Sequence, residues 1–150
     1  MSRFSRYIFA IFLLGWSLSA TAWTTIDVLS AISCNSSLER DYYREQLTAY
    51  YGPVLEKKGG ALWFKGKDSI YGATIREIFV SAGPPMLFVG VVLEASPVQI
   101  AEEIGKARFA SARMYFDAKN NRWAGSDGRE MVWHEGKYAK IFCIGMRDGR

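Results

Sequence analysis

Hydrophobic and polar positions follow a helical period in two segments of the chain. In residues 38–51, aromatic and aliphatic side chains such as Tyr43 and Leu47 recur at three- and four-residue spacing, with charged residues elsewhere. This spacing predicts an amphipathic helix. A second helix is predicted from Ser96 to about Lys106, because a serine, a proline and a glutamine at its start form a capping box. Each helix offers one apolar side to a core.

Strand-like patterns occupy most of the remaining chain. The run 86–95 is apolar at nearly every position, which is typical of a central strand that is covered on both faces. The predicted strands are Ala61–Lys65, Thr74–Ser81, Met86–Ala95, Arg113–Asp117, Arg129–His134 and Lys137–Ile144. The sequence therefore predicts an α+β fold, with two helices packed on a mainly antiparallel sheet of about six strands.

The two halves of the chain, about 36–95 and 96–146, carry their predicted elements in the same order. They can be aligned so that Arg76 falls on Arg129, for example. Identical positions are few, so chance is one explanation of the alignment. The other is a duplicated unit of one helix and three strands, and repetition of element order favours it.

Strict alternation along Thr74–Ser81 puts Ile78 and Val80 on one face of the sheet, and Ile75 and Phe79 on the other. Two helices cover only one face. The second apolar face must therefore curl onto itself, pack on the N-terminal segment, dimerise or bind a partner. The residues that we select as a candidate binding surface are Trp63, Tyr71, Ile75, Phe79, Trp123, Val132 and Trp133.

The first 22 residues have the pattern of an export signal. Arg3 and Arg6 precede an apolar run from Tyr7 to Leu18, and small residues ending at Ala22 form the Ala-x-Ala pattern of a cleavage site. The run is shorter than the roughly 20 residues that a membrane-spanning helix needs. The sequence thus predicts a signal peptide over 1–22 and a single periplasmic or secreted domain over 23–150, with no membrane span after cleavage.

The net charge of the chain argues against a nucleic-acid partner. The chain has 19 basic and 15 acidic residues, and a net charge of +4. Without Arg3 and Arg6, 17 basic residues remain and the net charge falls to +2. No stripe or run of Lys and Arg is present, so we expect no nucleic-acid partner.

Cys34 and Cys143 are the two cysteines of the chain. An even pair in a small exported domain predicts a disulfide. Redox-active pairs usually lie close together as Cys-x-x-Cys, whereas this pair is far apart in sequence. Two cysteines and His134, the single histidine, make an incomplete set of zinc ligands. We therefore expect a structural disulfide, with no metal and no cofactor.

The chain contains no recognisable catalytic motif. An acid–base pair would have to come from His134, Glu135, Glu130 and Glu94, and a histidine beside a turn is more simply explained as an exposed residue. The sequence favours a non-catalytic secreted or periplasmic binding module that acts by protein–protein contact, such as a hydrolase inhibitor or a toxin-immunity protein. One alternative is an envelope assembly or structural factor that works as a homodimer. The other alternative is a small periplasmic hydrolase.

Overall fold

The computed structural model describes residues 30–34, 39–106 and 113–145 of the 150-residue chain. The export signal predicted for residues 1–22 lies outside these ranges. The elements, in chain order, are α1 (Arg40–Tyr51), β1 (Glu56–Lys58), β2 (Ala61–Lys65), β3 (Ser69–Ile70), β4 (Ala73–Ser81), β5 (Phe88–Leu93), α2 (Pro97–Lys106), β6 (Met114–Asp117), β7 (Arg122–Gly125), β8 (Arg129–His134) and β9 (Tyr138–Ile144). Residues 30–32 are also helical.

All nine strands belong to one sheet, and every pairing in it is antiparallel. The strand order is β1-β2-β4-β5-β9-β8-β7-β6, with β3 paired to β4 outside this path. The central pair, β5 and β9, joins the strands of the first half of the chain to those of the second. None of the described helices has the length and apolar composition needed to cross a membrane.

The predicted α+β arrangement of two helices on about six strands is wrong, because the fold is dominated by a sheet of nine strands. The unpredicted strands are β1, β3 and β7, which have only 3, 2 and 4 residues. Strands this short show too few alternating positions for a period of two to be recognised, and all three residues of β1 are exposed. Cross-strand pairing, rather than local pattern, makes these segments extended.

The predicted duplication of one helix and three strands is also wrong. The first half contains five strands and the second half four. Their pairing differs as well: β2 pairs directly with β4, whereas its aligned counterpart β6 pairs with β7. Each half is instead a helix followed by a path of four antiparallel neighbours, β1-β2-β4-β5 and β6-β7-β8-β9, and the two paths meet at β5 and β9.

Helix α2 begins as its sequence predicts. The Ser96 backbone N–H donates to Gln99 Oε1 at 3.0 Å, and the Gln99 N–H donates to Ser96 Oγ at 3.3 Å. This reciprocal pair is a capping box, and it satisfies backbone donors that the first turn leaves unpaired. Ile100 and Ile104 then face the core.

The main core lies between the sheet and the two helices. Tyr43 and Leu47 of α1 and Ile100 and Ile104 of α2 pack on one face of the sheet. We call this the helix face and the opposite one the open face. The buried strand residues of the helix face are Phe64, Ile70, Ala73, Ile75, Ile78, Val80, Val89, Val91, Leu93, Trp123, Met131, Ala139, Ile141 and Cys143.

The predicted disulfide between Cys34 and Cys143 is confirmed, with the two Cα atoms 5.3 Å apart. It fastens residues 30–34 to β9, and the side chains of Ala31 and Ile32 from that segment are buried in the main core. A formed disulfide is compatible with a protein located outside the cytosol.

Candidate functional site

Strand register assembles a single row of residues across the open face. Neighbouring members of the row are paired directly on adjacent strands, so their side chains leave the sheet on the same side. In strand order the row reads Glu56, Trp63, Phe79, Gly90, Phe142, Glu130, Ala124 and Tyr115. Its centre is aromatic except for one glycine.

Gly90 leaves space for the ring of Phe79. A Cβ atom at this position would clash with the Phe79 ring and with the Ile141 carbonyl oxygen, and would lie 2.7 Å from Phe142 Cβ. Contacts this close do not occur between real Cβ atoms and their neighbours. The absence of a side chain at Gly90 therefore lets Phe79 and Phe142 lie close together over the middle of the sheet.

Trp63 and Phe79 form the buried centre of a second apolar cluster, on the open face. Their ring centroids are 4.7 Å apart, and Phe88 lies 6.0 Å from Phe79. Trp63 is only 6% exposed and Phe79 only 2% exposed. Because the helices pack on the other face, these rings are shielded by side chains of the sheet itself.

Three basic side chains close over this aromatic pair. Lys140 Nζ lies 4.5 Å from the ring centroid of Phe79 and 5.1 Å from that of Trp63. Lys58 Nζ lies 4.9 Å from the Trp63 centroid, and the His134 ring stacks on Trp63 at 6.2 Å. Cations over aromatic faces are favourable, and the aliphatic stems of lysines cover apolar surface.

The contact between His134 and Trp63 shows that the open face is concave. Their strands, β8 and β2, are four positions apart in the sheet. In a flat sheet that separation is about 19 Å, at roughly 4.8 Å per strand. The ring centroids are nevertheless 6.2 Å apart. The sheet therefore curls around this face, so part of the second apolar surface is self-buried.

A cavity of about 180 Å³ opens on the concave face. Its rim is exposed, since Met86 is 55% and Ile144 47% accessible to solvent. The residues that line it are Phe79, Met86, Phe88, Lys140, Phe142 and Ile144. Five of these six side chains are apolar, and the sixth carries an ammonium group.

Lys140 is partly buried, and its pKa is lower than that of an ordinary lysine. Burial lowers the pKa of its ammonium, the nearby charge of Lys58 lowers it further, and Glu77 acts in the opposite direction. Among the described residues, no carboxylate oxygen lies within 4.0 Å of Nζ. The cavity thus has one polar group, a positive charge that lacks an ion-pair partner in the described part of the chain.

Of the four candidate acid–base residues, the structure brings His134 and Glu135 together and leaves Glu130 and Glu94 apart from them. His134 Nε2 lies 3.9 Å from Glu135 and 4.0 Å from Glu77, while burial lowers the pKa of the imidazole. Glu130 pairs with Arg122, and it lies four residues before His134 on β8, or about 13 Å along the strand. Glu94 is exposed just after β5. The described residues contain no group of three potential metal ligands.

The seven residues of the predicted binding surface are distributed over both faces. Trp63 and Phe79 lie at the centre of the open face, and Val132 is half-buried on the same face. Trp133 lies on the helix face and is exposed. The others belong to the main core or pack against it, and these are Ile75, Trp123 and Tyr71.

The position of Ile75 corrects the strict alternation expected for β4. A β-bulge between Ile75 and Glu77 shifts the register there, because Ile75 pairs with Leu93 whereas Glu77 pairs with the adjacent Val92. Ile75 consequently faces the helices together with Ile78, and Phe79 faces the opposite way. The extra residue thus places the preceding part of β4 on the face opposite to the one that strict alternation predicts.

Sequence reasoning missed most of the cavity, including Lys140, Phe142 and Ile144. A signal for them was present in β9, where they alternate with three core residues, Ala139, Ile141 and Cys143. Once Cys143 is assigned to the core face by the disulfide, the alternate positions must lie on the open face.

The open face thus combines a concave aromatic floor, a small cavity and one partly buried ammonium group. Comparison of the chain with protein-family models, with curated proteins and with solved structures found no match.

Proposed function

We propose that the protein is an exported, non-catalytic binding module that contacts a protein partner through its open face. The observation that carries this proposal is the solvent-open cavity on the concave side of the sheet, lined by Phe79, Phe88 and Phe142. Protein interfaces concentrate their binding energy in a few apolar or aromatic anchors that fill such cavities.

The size of the cavity favours a protein partner over a free small molecule. Pockets for drug-sized ligands are roughly 300–1,000 Å³, whereas this one is about 180 Å³. A cavity of about 150 Å³ holds one benzene ring. The space therefore fits a single side chain, and the exposed Met86 and Ile144 at its rim offer further contact area.

Export is supported by the predicted signal over 1–22 and by the disulfide between Cys34 and Cys143. Within that setting we propose a periplasmic or secreted inhibitor, directed at a hydrolase or a toxin. Such proteins act by covering a partner's surface, for which a concave face with an anchoring cavity is suited. They need no catalytic group of their own.

A homodimer is the second candidate, and the edge of the sheet favours it. β6 pairs only with β7 among the described strands. Tyr115 and Phe116 on this strand are both exposed. An edge strand with exposed aromatic residues can pair with an identical strand of a second copy.

Site-specific photocrosslinking in the exporting cell tests the proposal. A photoreactive phenylalanine analogue replaces Met86 or Ile144 at the cavity rim, or Val98 on α2 as a control. The three native side chains are similarly exposed, at 55%, 47% and 49%. We expect one discrete heavier band from positions 86 and 144, and none from position 98.

The mass of a crosslinked band identifies the partner on the open face. A band at twice the mass of the protein shows that a second copy of the chain contacts this face, and it overturns binding of a different partner there. Absence of a band from both rim positions, or an equal band from position 98, overturns the open face as the contact surface.

A further inference from the structure

We infer that the cavity on the open face takes an apolar side chain of an acidic segment in the partner protein, and that a carboxylate of that segment binds Lys140. This inference rests on the proposed function and specifies the chemistry of the partner at the same site. It follows from the shape of the cavity, the composition of its wall and the charges around it.

The apolar part of the ligand follows from the wall of the cavity. Phe79, Phe88 and Phe142 supply aromatic surfaces, and Met86 and Ile144 supply flexible or branched aliphatic ones. The volume of about 180 Å³ is suited to one phenyl ring or one branched aliphatic group. Binding such a group removes apolar surface of the ligand and of the exposed rim from water.

The charges on the open face indicate that the ligand carries a carboxylate. Two neighbouring cations already have carboxylates, since Lys58 contacts Glu56 at 2.7 Å and Arg76 contacts Glu135 at 3.5 Å. Lys140 has no carboxylate within that range among the described residues. It is also the one cation that lines the cavity. An anion that enters the cavity thus meets a single unpaired ammonium group.

The environment of Lys140 makes that ion pair favourable. Its Nζ atom lies 4.5 Å from the Phe79 ring centroid, so it already has part of its surface removed from water. A cation that is partly desolvated before binding loses less hydration when a carboxylate arrives. Charge-assisted hydrogen bonds of this kind are about twice as strong as neutral ones.

Three small molecules with one common skeleton test the inference without the partner. They are 3-phenylpropionate, its neutral amide and 3-phenylpropylamine, each titrated into the mature oxidised protein and followed by NMR. We expect the acid to bind about tenfold more tightly than the amide and the amine to bind most weakly. The largest shifts should come from residues of β5 and β9 that line the cavity.

Two lysine variants test whether the carboxylate of the ligand binds Lys140. Lys140→Met should abolish the preference for the acid while the amide still binds. Lys65→Met is the control, since Lys65 belongs to the same cross-strand row as Lys140 but lies outside the cavity. This variant should keep the tenfold ratio. Thermal unfolding of each variant confirms that both are folded.

Equal binding of acid and amide to the wild type overturns the inference, as does a tenfold ratio that survives Lys140→Met. Failure of all three compounds to bind overturns it too. None of these results bears on crosslinking from Met86 and Ile144. If crosslinking succeeds while the compounds fail, the partner uses the open face with different chemistry.

Discussion

His134 stacks on Trp63 with ring centroids 6.2 Å apart, although four strand spacings separate their strands. This contact crosses the concave open face between β2 and β8. It is made by the single histidine of the chain, so protonation of one residue acts on this contact across the curled sheet.

Stability should fall as pH drops through the titration of His134. Burial lowers its folded pKa below the ordinary value of 6.5, with Lys140 and Arg76 acting in the same direction and Glu135 and Glu77 against it. The unfolded chain therefore binds a proton first as pH decreases. The stability present above about pH 6.5 is lost between that value and the folded pKa.

Urea unfolding at about pH 7.5 and about pH 5 measures this effect, and His134→Gln is the reference that removes it. Carboxylates titrate in both proteins, so the difference between the two pH dependences belongs to the histidine. An imidazole pKa above 6.5 by NMR, or identical pH dependences, would contradict the prediction.

Gly90→Ala should destabilise the protein by about 1–3 kcal/mol, which is the usual cost of forcing extra atoms into a packed site. The new Cβ clashes with Phe79 and with the backbone of Ile141 in the centre of the sheet. Gly105→Ala in α2 is the matched control, because its Cβ meets open space. That variant should gain up to about 1 kcal/mol from helix propensity. Chemical denaturation of both variants provides the comparison.

Lys140→Met should raise the unfolding temperature by a small amount, because the loss of the cation–π contacts with Trp63 and Phe79 offsets part of the gain. The lowered pKa means that the charged form is disfavoured in the folded state. Lys65→Met should change the unfolding temperature little, because Lys65 is exposed. A lower unfolding temperature for Lys140→Met would show that its ammonium group stabilises the fold.

Reduction of the disulfide should lower the free energy of unfolding by about 3–5 kcal/mol, because the loop between the cysteines is long. Cys34 and Cys143 are 109 residues apart in sequence. The measurement is thermal unfolding with and without reductant, and Cys34→Ser should match the reduced protein. Two free thiols in the native protein, detected by mass spectrometry, would contradict the bond.

The sequence predicts those features whose signal is local. The start of α2 is encoded by Ser96 and Gln99, whose reciprocal hydrogen bonds are present as expected. The disulfide is predictable because only one pairing of two cysteines exists. Long strands such as β4 and β5 are recognised by their apolar residues.

The remaining features depend on contacts between distant segments. β3 consists of Ser69 and Ile70 alone and exists because it pairs with β4. The bulge beside Ile75 is set by its partner strand and reverses the predicted face of that residue. The cavity joins Phe79 to Phe142 across Gly90, and this requires the pairing of β5 with β9. Local periodicity contains no information on which strands become neighbours.

Cys143 stands between Phe142 and Ile144, two residues of the cavity wall, and points to the opposite side of the sheet. The disulfide and the cavity wall therefore occupy consecutive positions of one strand. In a chain whose thiols are still reduced, this wall is held by packing and backbone hydrogen bonds alone. Oxidation of the two thiols thus adds a covalent restraint directly beside the wall of the cavity.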